Sequence, residues 1–162
     1  MDKTPGSLSR RAAGVLAVAG MLAAYIFLGA LGSLGERTNR EVASAQGWTM
    51  TVEYPAVTYP GLTSHLRIAL EPPVDFGGPV DLAFDRTYWD QFEVVVEPPP
   101  LAVAADADTV RLTFVIPLGE ILLVDATARL EGDAPESLEG RLAALVHDTE
   151  VVSLDCRTAV LP

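Results

Sequence analysis

The sequence predicts an all-β domain of about eight short strands behind one apolar N-terminal helix. Three observations carry this. Residues 12–35 hold no charge. From Gly47 onward apolar and polar residues alternate with a period of two, the mark of half-buried strands. Proline, glycine and acidic clusters interrupt that alternation every 8–15 residues or so, and no stretch beyond residue 47 shows the 3.6-residue period of a long amphipathic helix.

The uncharged stretch, "AAGVLAVAGMLAAYIFLGALGSLG", is about 36 Å long as a helix, enough to cross a hydrocarbon core of about 30 Å. It exceeds the apolar part of an ordinary cleaved leader, about 7–15 residues. Arg10 and Arg11 precede it, and Arg37 and Arg40 follow it beside Glu36 and Glu41. The positive bias predicts a signal anchor: residues 1–11 in the cytoplasm, 12–35 across the cell membrane, the remainder outside. Ala43-Ser44-Ala45 is a cleavage-like pattern but lies about ten residues past the apolar run. A cleaved, secreted domain is the alternative expectation. Gly20/Ala24 and Gly29/Ser33 have the small-xxx-small spacing that lets helices approach closely, which would allow homo-oligomers through the helix. Residues 36–46, "ERTNREVASAQ", are polar and aperiodic and predict a juxtamembrane linker.

The outer domain, 47–162, follows strand by strand. Trp48, Met50, Val52 and Tyr54 alternate with Thr49, Thr51 and Glu53. "PAVTYPG" breaks the strand, because proline cannot donate to a central ladder. Leu66, Ile68 and Leu70 form the second strand, and Val80, Leu82 and Phe84 the third. "RTYWDQF" lacks a period of two and predicts one helical turn packed by Tyr88 and Phe92. "EVVVE" is a short strand stopped by three prolines, and "AADAD" a turn. Val110, Leu112, Phe114 and Ile116 define the fifth strand; Leu122, Val124, Ala126, Ala128 and Leu130 the sixth. Residues 141–146 and 151–160 pair as a hairpin across "HDTE". Eight such strands predict two antiparallel sheets face to face, an immunoglobulin-like sandwich, with an open barrel as runner-up. Ig-type cysteine positions are empty: the one cysteine, Cys156, alternates with Val152 and Leu154 and is expected inside.

"DTVRLTFVIPLGEILLVDATARLEGD" followed by "VSLDCRTAVLP" resembles the Ig-like repeats of bacterial surface proteins, in which a strand leads through a Pro/Gly turn into further strands that close the domain. The whole chain is similar to small single-pass membrane-anchored proteins of high-GC, actinobacterial-like bacteria with one Ig-like outer domain. One lysine beside ten arginines agrees with such coding. The resemblance implies a fold and a location and transfers no catalytic residue.

Charge and motifs narrow the function. The chain's net charge is −11. Residues 1–46 carry five Lys/Arg against three Asp/Glu, a balance of +2; residues 47–162 carry six Arg against nineteen Asp/Glu, a balance of −13. Phosphate binding needs the opposite sign, so no nucleic acid is expected. The two histidines, His65 and His147, accompany no G-x-S-x-G elbow, zinc spacing or phosphate loop. Asp106/Asp108 and Glu131/Asp133/Glu136/Glu139 are acidic turns without an EF-hand pattern. No catalytic residue, metal or cofactor is therefore assigned; an envelope hydrolase or metal-dependent enzyme is the weakest of the alternatives. The candidate partner-binding residues are Tyr54 and Tyr59 by the proline corner and Tyr88 and Trp89 beside Asp85, Arg86 and Asp90, since exposed aromatics among charges anchor interfaces. The competing reading is that Tyr88, Trp89 and Phe92 plug one end of the domain. The expected role is non-catalytic binding of a membrane or envelope protein at the outer surface.

Overall fold

The computed structural model describes residues 37–132 and 134–161. The uncharged stretch 12–35, expected to span the membrane, and residues 1–11, expected in the cytoplasm, lie outside the described residues, and among the described residues no helix is long and apolar enough to cross a membrane.

The described chain is all-β. Ten strands follow one another: β1 (Arg37–Ala45), β2 (Trp48–Thr58), β3 (Thr63–Glu71), β4 (Gly78–Asp85), β5 (Phe92–Glu97), β6 (Ala102–Ala105), β7 (Thr109–Ile116), β8 (Leu122–Leu130), β9 (Ser137–Val146) and β10 (Thr149–Val160). A single turn of helix, α1 (Arg86–Trp89), stands between β4 and β5, where the period of two lapses. The eight expected strands are β2–β5 and β7–β10.

Two strands are additional. The stretch expected to be a linker forms β1, which runs antiparallel to β2 from Ala45↔Trp48 to Arg37↔Val57. Its alternation is hidden because its inward positions are polar or small: Glu41 faces Val52 and Ala43 faces Met50, whereas Val42 points outward. β6 overlaps the expected turn at Ala104 and Ala105 and is exposed throughout.

The strands join in one curled sheet of order β5-β8-β3-β2-β10-β9-β4-β7-β6, with β1 on β2. The two separate antiparallel sheets expected from the sequence are thus connected. The joint is a parallel pairing of only two positions, Ala159↔Val57 and Val160↔Thr58. All other pairings are antiparallel. Curling brings the inner faces of both halves onto one core, in which Met50, Tyr54, Ile68, Leu82, Ile116 and Leu142 are almost wholly buried. Burying such side chains drives the fold, each contributing about 1.5–3 kcal/mol.

Register also sorts the loops. β3 ends, β4 begins, β5 ends, β6 begins, β7 ends and β8 begins at one end of the domain, as the pairs Leu70↔Leu122, Gly78↔Ile116, Glu97↔Asp125 and Ala102↔Thr113 require. The β1–β2 turn, Gln46-Gly47, lies there too, against Pro73. Gln46 and Gly47 both have positive φ, as this two-residue hairpin demands. At the opposite end lie the start of β1, α1, the β2–β3 and β6–β7 turns and the end of β10.

Candidate functional site

The predicted aromatic patch is at the end where β1 starts, and most of it is interior. Tyr54 points inward from β2 and is 1% exposed. Its hydroxyl donates to Glu41 Oε1 at 2.8 Å, clasping β1 to β2. Burial first, and then that carboxylate, raise its pKa. Tyr88 is buried by α1 packing over β9. Its hydroxyl meets Thr158 Oγ1 at 3.1 Å, and Thr158 Oγ1 itself donates to the Pro55 carbonyl at 2.7 Å. Thr158 has one hydroxyl proton, so Tyr88 is the donor in the first bond. Burial pushes the Tyr88 phenol up to about 12. Trp89 is half-buried with its ring 4.5 Å from that of Phe84, and Phe92 lies 5.3 Å from Tyr88. Tyr59 is half-buried at the β2–β3 turn. Tyr54 and Tyr88 are thus core residues and unavailable as anchors for a partner, because both hydroxyls find partners inside the domain.

The nucleophile and acid–base candidates do not converge. Cys156 faces inward, 6% exposed. Burial, with Glu41 and Asp155 nearby, pushes its thiol up to about 12, so it is not a thiolate at neutral pH. His65 points outward from β3, its side chain 58% exposed and 3.6 Å from Asp125 Oδ1. His147 is exposed in the β9–β10 turn, where it and Asp148 both have positive φ. Asp106 accepts from the backbone N–H groups of Asp108 and Thr109 and from Thr109 Oγ1 at 2.7–2.9 Å, which holds its carboxyl below the usual range. Its oxygens thus close the β6–β7 turn. Among the described residues no group of three or more His, Cys, Asp or Glu is placed to hold a metal, and no buried side-chain N or O lacks a hydrogen-bond partner.

Two surface features stand out on the domain. One is the end of the domain carrying loops 72–77, 98–101 and 117–121. Val74, Leu101, Leu118 and Ile121 protrude from these loops, with Val115 and Leu123 on the adjoining strands, and Val74 is 91% exposed. These are six of the eleven exposed large apolar side chains among the described residues, of which only Leu62 and Leu161 lie at the opposite end. The loops are framed by Pro72, Pro73, Pro98, Pro99, Pro100 and Pro117. Loops 72–77 and 117–121 are packed on one another, since a Cβ on Gly77 would lie 3.2 Å from Leu118 backbone, and Phe76 meets Trp48 edge-to-face at 4.6 Å.

The other feature is a groove of about 580 Å³ on the outer face of β1, β2, β3, β8 and β5, running up to that same end. The pairings align one outward residue per strand: Arg40↔Glu53, Glu53↔Arg67, Arg67↔Asp125, Asp125↔Glu97. Arg40 Nε lies 3.8 Å from Glu53, and Arg67 Nε 3.1 Å from Asp125. In the next row, small Thr51 and Ala69 lower the floor between Val42 and Leu123. Neither feature is among the residues predicted from sequence. The available signal was a large aliphatic residue beside proline in each loop, "PPV", "PPPL" and "PLGEI".

No protein-family model matches the chain, and no curated protein matches it. Among solved structures the chain is similar to AvmM, described as catalysing macrocyclization in alchivemycin A biosynthesis, with 10% identity and a TM-score of 0.42 over 79% of this chain and 97% of that one. It is also similar to the alkylpurine DNA glycosylase AlkC of Pseudomonas fluorescens bound to DNA containing an abasic site analog, with 14% identity and a TM-score of 0.40 over 80% of this chain and 32% of that one. Likenesses at this level assign neither activity to this chain.

Proposed function

We propose that this chain is a membrane-anchored, outward-facing docking module that performs no chemistry of its own. In this reading residues 12–35 are the anchor, with Arg10 and Arg11 on the cytoplasmic side. The two halves of the curled sheet are the faces of an immunoglobulin-like sandwich, joined only by the short β2–β10 pairing. The observation that carries the docking role is the gathering of Val74, Leu101, Leu118 and Ile121 on proline-framed loops at one end. A clustered apolar surface with a polar rim is a common form of protein contact site. Rigid loops lower the ordering cost of binding. The hydrolase alternative is disfavoured by the inward, protonated thiol of Cys156 and by two histidines that face solvent away from it.

The test uses the full chain with a C-terminal epitope tag in native membranes. The tag is expected in the membrane fraction at full-length mass and open to external protease. Detergent-solubilised protein is expected in a complex larger than the monomer. The double variant Leu101→Asp/Leu118→Asp is expected to dissolve that complex without lowering the melting temperature. A shortened product in the medium would replace the anchor by a leader. A complex indifferent to the double variant would remove the docking role from this end.

A further inference from the structure

The groove and the apolar loop end share residues, and their combined chemistry specifies the kind of partner; this rests on the docking reading above. Leu123 closes one row of the groove and belongs to the apolar rim. Glu97 and Pro98 line the groove and lead directly to Leu101.

The row of outward charges alternates in sign through Arg40, Glu53, Arg67 and Asp125 and then repeats a negative at Glu97. Like charges directly opposite one another on neighbouring strands oppose pairing. Arg67 already serves Asp125 at 3.1 Å. Among the described residues neither Glu97 nor Glu71, which lines the groove two rows nearer the loops, forms an ion pair. The groove therefore holds four carboxylates, Glu53, Glu71, Glu97 and Asp125, against two guanidinium groups, Arg40 and Arg67. β5 is the last strand on that side of the sheet, so the position beyond Glu97 in the row is open. The excess negative charge repels an anionic lipid surface. It equally repels a second copy of a domain whose own balance is −13 (six Arg against nineteen Asp/Glu).

We infer that the occupant is a segment of a different protein that carries large apolar side chains beside an Arg or Lys. The apolar side chains cover Leu101, Leu118 and Ile121. The cation lies against Glu97 at the open edge of β5 and continues the alternation that Glu97 breaks.

The experiment places the photocross-linker p-benzoylphenylalanine at position 118 of the full chain in native membranes, with position 159 on the exposed side of β10 as control. Cross-linked peptides are sequenced by mass spectrometry. Position 118 is expected to capture an apolar segment of another protein with Arg or Lys within a few residues, and position 159 is expected not to. Glu97→Lys, and separately a rise to about 0.5 M salt, are each expected to cut the yield about fivefold or more, since exposed charge pairing is screened at that ionic strength. Capture of lipid, of a second copy or of an acidic segment would overturn the inference and leave the loop end as a contact surface. A yield unchanged by Glu97→Lys would overturn the groove's part in it. No capture at position 118 beyond that at position 159 would overturn both the inference and the docking reading.

Discussion

Gly140 of β9 lies directly beneath Tyr88 of α1: a Cβ at residue 140 would stand 2.5 Å from Tyr88 Cβ and 2.6 Å from its Cγ. This close approach lets the helical turn fold its phenol over the end of the core. Gly140→Ala forces strand and turn apart, and overpacking of this kind costs about 1–3 kcal/mol. Urea unfolding of the variant is expected to show a lowered midpoint; a midpoint equal to that of the parent would refute the contact.

Beyond the ring, the chain of donors from Tyr88 to Thr158 to the Pro55 carbonyl makes the two ends of that chain unequal. Tyr88→Phe removes a donor and leaves Thr158 still bonded to Pro55, a loss of about 1 kcal/mol. Thr158→Val strands both the Tyr88 hydroxyl and the Pro55 carbonyl and is expected to cost about twice as much or more. Equal destabilisation in denaturant titrations would contradict the assigned direction of the bonds.

β1 depends on one side-chain clasp as well as its ladder. Tyr54→Phe removes the bond to Glu41 while keeping the ring in the core. Amide hydrogen exchange across residues 37–45 is expected to quicken several-fold, with β7 and β8 unchanged, because local opening follows local stability. Protection of β1 that is unaffected would show that backbone pairing alone holds it.

Alkaline pH should weaken the domain through two buried acids. Folding raises the Cys156 thiol from 9.0 and the Tyr88 phenol from 10.0, each to about 12. Below pH 9 both groups are protonated whether folded or unfolded, and their contribution is fully present. As pH rises towards 12 the unfolded chain releases these protons first, so stability falls. The thiol leads that fall. Urea midpoints between about pH 8 and pH 11 are expected to decline, and less steeply in Cys156→Ala. A flat profile in the parent would contradict the burial of both groups.

The charge row predicts a surface substitution that stabilises. Glu97→Lys replaces a like-charge pairing with Asp125 by an opposite one, worth about 0.2–1 kcal/mol at low salt. The melting temperature is expected to rise slightly at low ionic strength and to converge on the parent's at high salt. A lower melting temperature at low salt would mean that the row does not act as an electrostatic unit.

Much of the fold was legible because burial on one side of a strand writes itself as a period of two. β2, β3, β4, β7 and β8 follow their apolar alternation closely, and α1 sits where it lapses. The inward course of Cys156 was legible for the same reason. β1 was not, since its inner positions carry Asn39, Glu41 and Ala43, and Val42 faces solvent; backbone pairing and the Tyr54 hydroxyl hold it, and neither leaves an apolar pattern. β6 was hidden because an exposed edge strand buries nothing.

The surface was decided by tertiary structure alone. Tyr54 and Tyr88 have the composition of interface residues, but packing against Glu41, Gly140 and Thr158 turns them into core. Val74, Leu101 and Leu118 are unremarkable loop residues until strand register brings loops separated by some twenty residues and more to one end. Likewise Arg40, Glu53, Arg67, Asp125 and Glu97 form a row only through cross-strand pairing. Local periodicity determines which residues point inward on a strand. Which outward residues become neighbours depends on pairing between distant segments, and a single chain of letters does not carry that distance.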